Sequence, residues 1–174
     1  MDPKDAVADW VNAWDDWDTD IGALILFVSR HPLGMPTVTA TVIPSPDGAD
    51  PAAHVAYHTA LALADNDLRP HQLMAAAYAI NAHVTVTEGP PDAALLADGR
   101  HGRIYTRPDA QEGLHVIYRA CTLGATTTSW TRIRRTGQVI DIPNNQTITT
   151  NAPFDEILRG FADAAAKITV RLSN

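Results

Sequence analysis

The sequence predicts an α+β fold: a mainly antiparallel sheet of about five or six strands, packed by an N-terminal helix, a central helical pair and a C-terminal helix. Three observations lead there. Segments with strand character cluster at residues 21–43 and again at 114–142. Alanine-rich stretches with helical signals lie between the two clusters. Helical spacing of large apolar residues appears before the first cluster and after the last. Strands grouped on both sides of a helical middle favour segregated α and β layers over alternating βαβ units. With 174 residues, 45% hydrophobic and 19% charged, the chain has enough material for one domain spanning 1–174 and a substantial core.

Residues 1–20 are an acidic, tryptophan-rich helix: seven aspartates stand against one lysine, with three of the four tryptophans. Read at 3.6 residues per turn, Val7, Trp10, Trp14 and Trp17 form one apolar stripe. The helix is expected to run from Pro3 or Lys4 to Trp17, with Asp2 as its cap and Pro3 at its first position. Asp5 suits the positive end of the helix dipole. Asp15, Asp16 and Asp18 oppose the negative end, so fraying is expected there.

Residues 21–30 read as a central strand, opened by an eight-residue apolar run that is far short of the roughly 20 residues needed to cross a bilayer. Residues 37–43 (TVTATVI) alternate with a strand period, placing Val38, Ala40 and Val42 on one face and the threonines with Ile43 on the other. Together they suggest a hairpin across the proline-bounded connection 31–36. After the turn 44–48 (PSPDG), Asp50-Pro51 opens a helix to about Ala64. A second helical segment starts near Arg69-Pro70 and covers 71–82 before the chain becomes strand-like at 83–87. A short helix is expected around 93–97, a short strand at 103–107, and a succession of strands at 114–121, 126–134 and 138–142, the last two joined by Arg135-Thr136-Gly137. Asn151-Ala152-Pro153 introduces a final helix to about Arg171, with Phe154, Ile157, Leu158, Phe161, Ala165 and Ile168 at helical spacing.

The net charge of −7 is unevenly spread. Residues 1–98 balance to −11 and residues 99–174 to +4, and seven arginines lie between Arg100 and Arg135. The two parts attract each other within one domain or support contacts with a partner. The acidic start differs from the basic segment of a signal peptide, and the single cysteine, Cys121, allows no internal disulfide; a cytoplasmic protein is expected. The Ala/Asp/Thr/Pro-rich composition suggests a bacterial or phage origin.

No catalytic motif is present, and Gly99, Gly102, Gly113, Gly124 and Gly137 form neither a P-loop nor a dinucleotide fingerprint. Several groups of residues carry chemistry. The tryptophan stripe packs on its own sheet or anchors a partner protein, where aromatic side chains dominate binding energy. Trp130, Arg132 and Arg134 alternate onto one strand face, with Arg119 on the neighbouring strand; such a face receives an acidic partner or, with an exposed tryptophan, nucleic acid. The acidic charge disfavours nucleic acid, and an acidic polar face disfavours anionic membrane. His54 and His58 share a helix face with Asp50 one turn earlier, a spacing that suits zinc or another transition metal, with His71 as a further ligand. The glutamate of the HExxH pattern is absent, since Val55 follows His54. Cys121 and His115 could act as nucleophile and base only from different strands or across a break, so Cys121 reads as a buried structural thiol, and Asp109 and Glu112 read as ion-pair partners of nearby arginines or as solvated.

The sequence therefore points to a non-enzymatic protein with no cofactor that binds a protein partner or forms a homo-oligomer. It would do so through Trp10, Trp14, Trp17, Arg119, Trp130, Arg132 and Arg134. The alternatives are a small metal-dependent enzyme built on His54, His58 and Asp50, and a nucleic-acid-binding module.

Overall fold

The computed structural model describes residues 2–18, 21–30, 37–46, 50, 53–55, 57–58, 71–120, 127–142 and 146–150. In chain order the elements are helix α1 (Pro3–Ala13), strands β1 (Gly22–Arg30), β2 (Thr37–Pro44) and β3 (His71–Glu88), helix α2 (Ala93–Arg100), a single 3-10 turn at Ile104–Thr106, and strands β4 (Gln111–Ala120), β5 (Thr127–Ile133), β6 (Val139–Ile142) and β7 (Gln146–Thr150). Residues 53–55 and 57–58 are also helical. The result is broadly α+β, dominated by one antiparallel sheet of seven strands in the order β2-β1-β3-β4-β5-β6, with β7 paired to β3.

The 18-residue β3 organises the sheet. β4 pairs with Ala75–Val84 along one edge. On the other edge β1 pairs from His71 to Ile80, and β7 takes over from Val84 to Glu88. β1 and β7 thus lie end to end along one strand, leaving 81–83 at their junction. The sequence predicts a helix over 71–82, the second member of a central pair, and the structure corrects this to strand. Alanine's helix propensity is a weak prior that tertiary packing overrides. Here Ala75, Ala77 and Ala79 face one side while Ala76 and Tyr78 face the other, and all five are buried. With both faces covered, the polar alternation that betrays a strand is missing.

α1 lies across the first face. Val7 and Val11, one turn apart, are buried against Ile25, Phe27, the alanines of β3, Leu114, Val116 and Trp130. The small residues of β3 let the helix approach closely. Asp2 caps the helix through an Oδ1 that accepts from Lys4 N at 2.9 Å, and Pro3 occupies the first turn, as the sequence predicts. The helix ends at Ala13, four residues before Trp17, and Trp14 is already extended. The acidic residues that follow have no favourable place at the negative end of a helix dipole.

The β1–β2 hairpin and the β4–β5–β6 meander form as expected, and Gly137 takes the left-handed conformation (φ 67°) that the β5–β6 turn requires. On the second face Val84, Ile133 and Ile140 form a small core, with Val86 and Ile148 packed on it. β7, absent from the predicted elements, supplies Ile148. The expected strand at 103–107 is instead the 3-10 turn. Asp98 holds Arg103 and Arg107 there, at 3.2 and 3.1 Å, keeping the chain beside α2. The connection 31–36, most of the helix to Ala64, Cys121 and the C-terminal helix lie outside the described residues. Among the described residues, no helix is long and apolar enough to cross a membrane.

Candidate functional site

The predicted arginine-rich face divides between the two sides of the sheet. Cross-strand register sets Val116 opposite Trp130 and Leu114 opposite Arg132, on the side covered by α1; Arg119, opposite Ala76 and Thr127, belongs to the other side. Trp130 is 4% exposed and sits in the core beneath Val7 and Val11. A stacking platform for bases needs an exposed ring, so the surface expected for nucleic acid is not there.

Arg132 meets the end of α1 instead. Its Nη1 donates to the carbonyl oxygen of Asn12 and, at 3.4 Å, to that of Val11. These are among the last carbonyls of the helix, that of Val11 also accepting from Trp14 N at 3.4 Å, and a cation is favoured at that end. Opposite charges in the two parts of the chain also meet between side chains, Asp98 with Arg103 and Arg107 and Asp18 with Arg134. Trp10, Trp14 and Trp17 are partly buried against the same core, with Trp10 and Trp14 edge-to-face at 5.1 Å. The tryptophans therefore pack within the chain.

The histidine pair is also local. His54 and His58 stack edge-to-face at 4.5 Å, and His54 Nε2 lies 3.4 Å from the Ile43 carbonyl oxygen. Burial, and secondarily the charge of His54, holds the His58 pKa below its ordinary value. His71 begins a strand rather than a helix. Among the described residues, which include Asp50, no group of three or more His, Cys, Asp or Glu side chains is arranged to hold a metal. His115 is buried on the second face, its Nδ1 2.7 Å from Thr131 Oγ1, and burial lowers its pKa to about 4.

One polar cleft, of about 370 Å³, opens where the chain leaves α1. Trp17 and Asp18, Asn81 and His83 of β3, Glu112 of β4 and Arg134 line it. The fold explains the position. Residues 81–83 sit where β1 has ended and β7 has not begun, and Asn81 N donates to Ile21 O at 3.0 Å across the gap. Strand pairing then sets His83 directly opposite Glu112. Arg134 Nη1 donates to Glu112 Oε2 at 2.7 Å, while its Nη2 stands 3.8 Å from Asp18, whose side chain is fully exposed. Tyr105 flanks His83 edge-on with ring centroids 6.2 Å apart. Both acids pair with arginines: Asp109 with Arg107 at 3.0 Å, and Glu112, which lies in β4 rather than a loop, with Arg134 at 2.7 Å.

Two carboxylates, one guanidinium and an indole make this cleft suited to a cationic or neutral polar group rather than an anion. Comparison with protein-family models, with curated proteins and with solved structures gives no match.

Proposed function

We propose that this is a cytoplasmic protein-binding module that takes a basic segment of a partner, seating a lysine or arginine side chain in the cleft beneath Trp17. The observation that carries the reading is the convergence of the Trp17 indole with the Asp18 and Glu112 carboxylates around one opening. A cation gains from a ring face and from both carboxylates there. Asp18 is fully exposed and only loosely paired, so it can turn to a ligand at little cost. Asp5, Asp9, Asp15 and Asp16 are exposed along the same helix and its exit, and the chain carries −7 overall. That field attracts a basic partner at long range and repels nucleic acid. Relative to the sequence-based expectation, the acidic helix keeps a binding role through its outer surface and its exit, while its apolar stripe is used in the fold.

The test is titration with short lysine- and arginine-containing peptides at low and moderate salt, followed by the indole N–H resonance of Trp17. Binding is expected to weaken with salt. Glu112→Gln should weaken it about fivefold, the scale of one exposed ion pair, and Trp17→Ala about threefold through the lost ring face. Absence of any shift at Trp17, or equal affinity for acidic peptides, would sink the proposal.

A further inference from the structure

We propose that the outer edge of β2 pairs in antiparallel register with the same edge of a second copy of this chain, joining two seven-stranded sheets into one. This goes beyond the cleft reading and does not depend on it. Among the described residues β2 pairs with β1 on one side and terminates the sheet, and near its end His54 Nε2 lies 3.4 Å from the Ile43 carbonyl oxygen. Every second residue of such a strand turns its backbone N–H and C=O away from its neighbour, a row of groups ready to pair with another chain.

Several features make a second copy the fitting occupant. Natural edges are protected by lysine, internal proline, bulges or inward charges. β2 has none of these. Thr37–Pro44 holds no charged residue, its proline is terminal, and its register with β1 is unbroken over eight pairs. A copy of an acidic protein is repelled from most of its twin's surface, above all from the aspartates of α1, but meets no like charge along this strip.

The apolar pattern agrees. Val42 stands opposite Ile25, which is only 7% exposed under the α1-side core, yet Val42 itself is 58% exposed. The core runs out at β2, with Ala40, Thr41 and Val42 all exposed. A two-fold axis normal to the sheet keeps each face on its own side, so paired residues must have equal parity. Centring the axis on this exposed stretch sets Thr41 against Thr41 of the second copy and Val42 against its Ala40. The apolar side then continues across the junction.

A pair of eight-residue strands buries less than the roughly 1,200 Å² of a stable interface, so the dimer should dissociate on dilution. Sedimentation velocity over a wide concentration range is expected to show a monomer passing to a dimer. Thr41→Lys sets two ammonium groups face to face at an exposed position and should leave a folded monomer at every concentration, its fold checked by circular dichroism. Independently, Thr41→Cys in a Cys121→Ser background should oxidise to a disulfide-linked dimer, since facing residues of an antiparallel pair lie about 4.5–5.5 Å apart at Cα, within disulfide range. A dimer that persists in Thr41→Lys overturns the proposal, as does failure of the disulfide to form. So does a wild-type chain that stays monomeric with slow hydrogen exchange along β2, which would mean that its own chain covers the edge.

Discussion

Arg132 of β5 donates from Nη1 to the carbonyl oxygen of Asn12, tying the end of the first helix to a strand 120 residues further along the chain. The contact gives a charged donor to carbonyls at the end of the helix. It also sets a cation where the following aspartates cannot help. The guanidinium is therefore a clasp for α1, and α1 in turn covers Trp130 and the alanines of β3.

Replacing Arg132 with alanine should lower unfolding stability by about 2 kcal/mol, the usual scale for a hydrogen bond made by a charged donor. Tryptophan fluorescence should shift to the red before the sheet's circular dichroism signal is lost, because Trp10, Trp14 and Trp130 all report on the helix contact. Arg132→Lys keeps the charge at the helix end and should recover part of the loss. A variant as stable as the parent, with unchanged fluorescence, would show that the clasp contributes nothing.

Close approach of α1 also depends on Ala77, fully buried between Ile25 and Tyr118 on the helix side of β3. Ala77→Leu should cost about 1–3 kcal/mol by overpacking, whereas Ala13→Leu at the exposed helix end should stay within about 0.5 kcal/mol. Urea midpoints of the two variants decide this. If they were equal, the helix would not be seated on the alanine row.

How much of this was legible in the sequence follows from what each element shows locally. The Asp2-Pro3 helix start, the β1–β2 hairpin and the Gly137 turn announce themselves through side chains within a few residues of one another. β3 does not. Its alanines read as helix because burial on both faces erases the alternation, and only the partner strands reveal why small residues stand there. The cleft was hidden for a related reason. His83 and Glu112 become neighbours through long-range strand register, and Trp17 and Asp18 reach them only because α1 stops at Ala13. Histidines at helical spacing are visible in the sequence because local spacing is the one kind of geometry a sequence displays.

His115 gives the fold a pH dependence. Burial lowers its pKa to about 4, against about 6.5 in the unfolded chain. Between these values the unfolded state binds the proton more readily, so stability is full above pH 6.5 and falls as the pH drops toward 4, by about 3 kcal/mol for this one group. His58, its pKa also lowered, acts in the same direction. Urea midpoints measured from pH 7 to pH 4.5 should decline, and His115→Phe should flatten that decline even if it destabilises the protein at pH 7. A wild-type midpoint that does not change across this range would contradict the buried, neutral imidazole.

The His54–His58 pair supports a last prediction, about metal. Their rings lie 4.5 Å apart and the lowered pKa of His58 favours the neutral, ligating form near neutral pH. Among the described residues no third side-chain ligand joins these two imidazoles, which alone would leave a transition metal half-coordinated, whereas protein zinc sites use three or four. Chelator treatment is therefore expected to leave the Tm of the untagged protein unchanged, and added zinc to raise it only slightly by mass action. Elemental analysis after metal-replete expression provides the strict check. One zinc per chain, lost in a His54→Ala/His58→Ala double variant, would contradict this expectation and support a metal centre on these histidines.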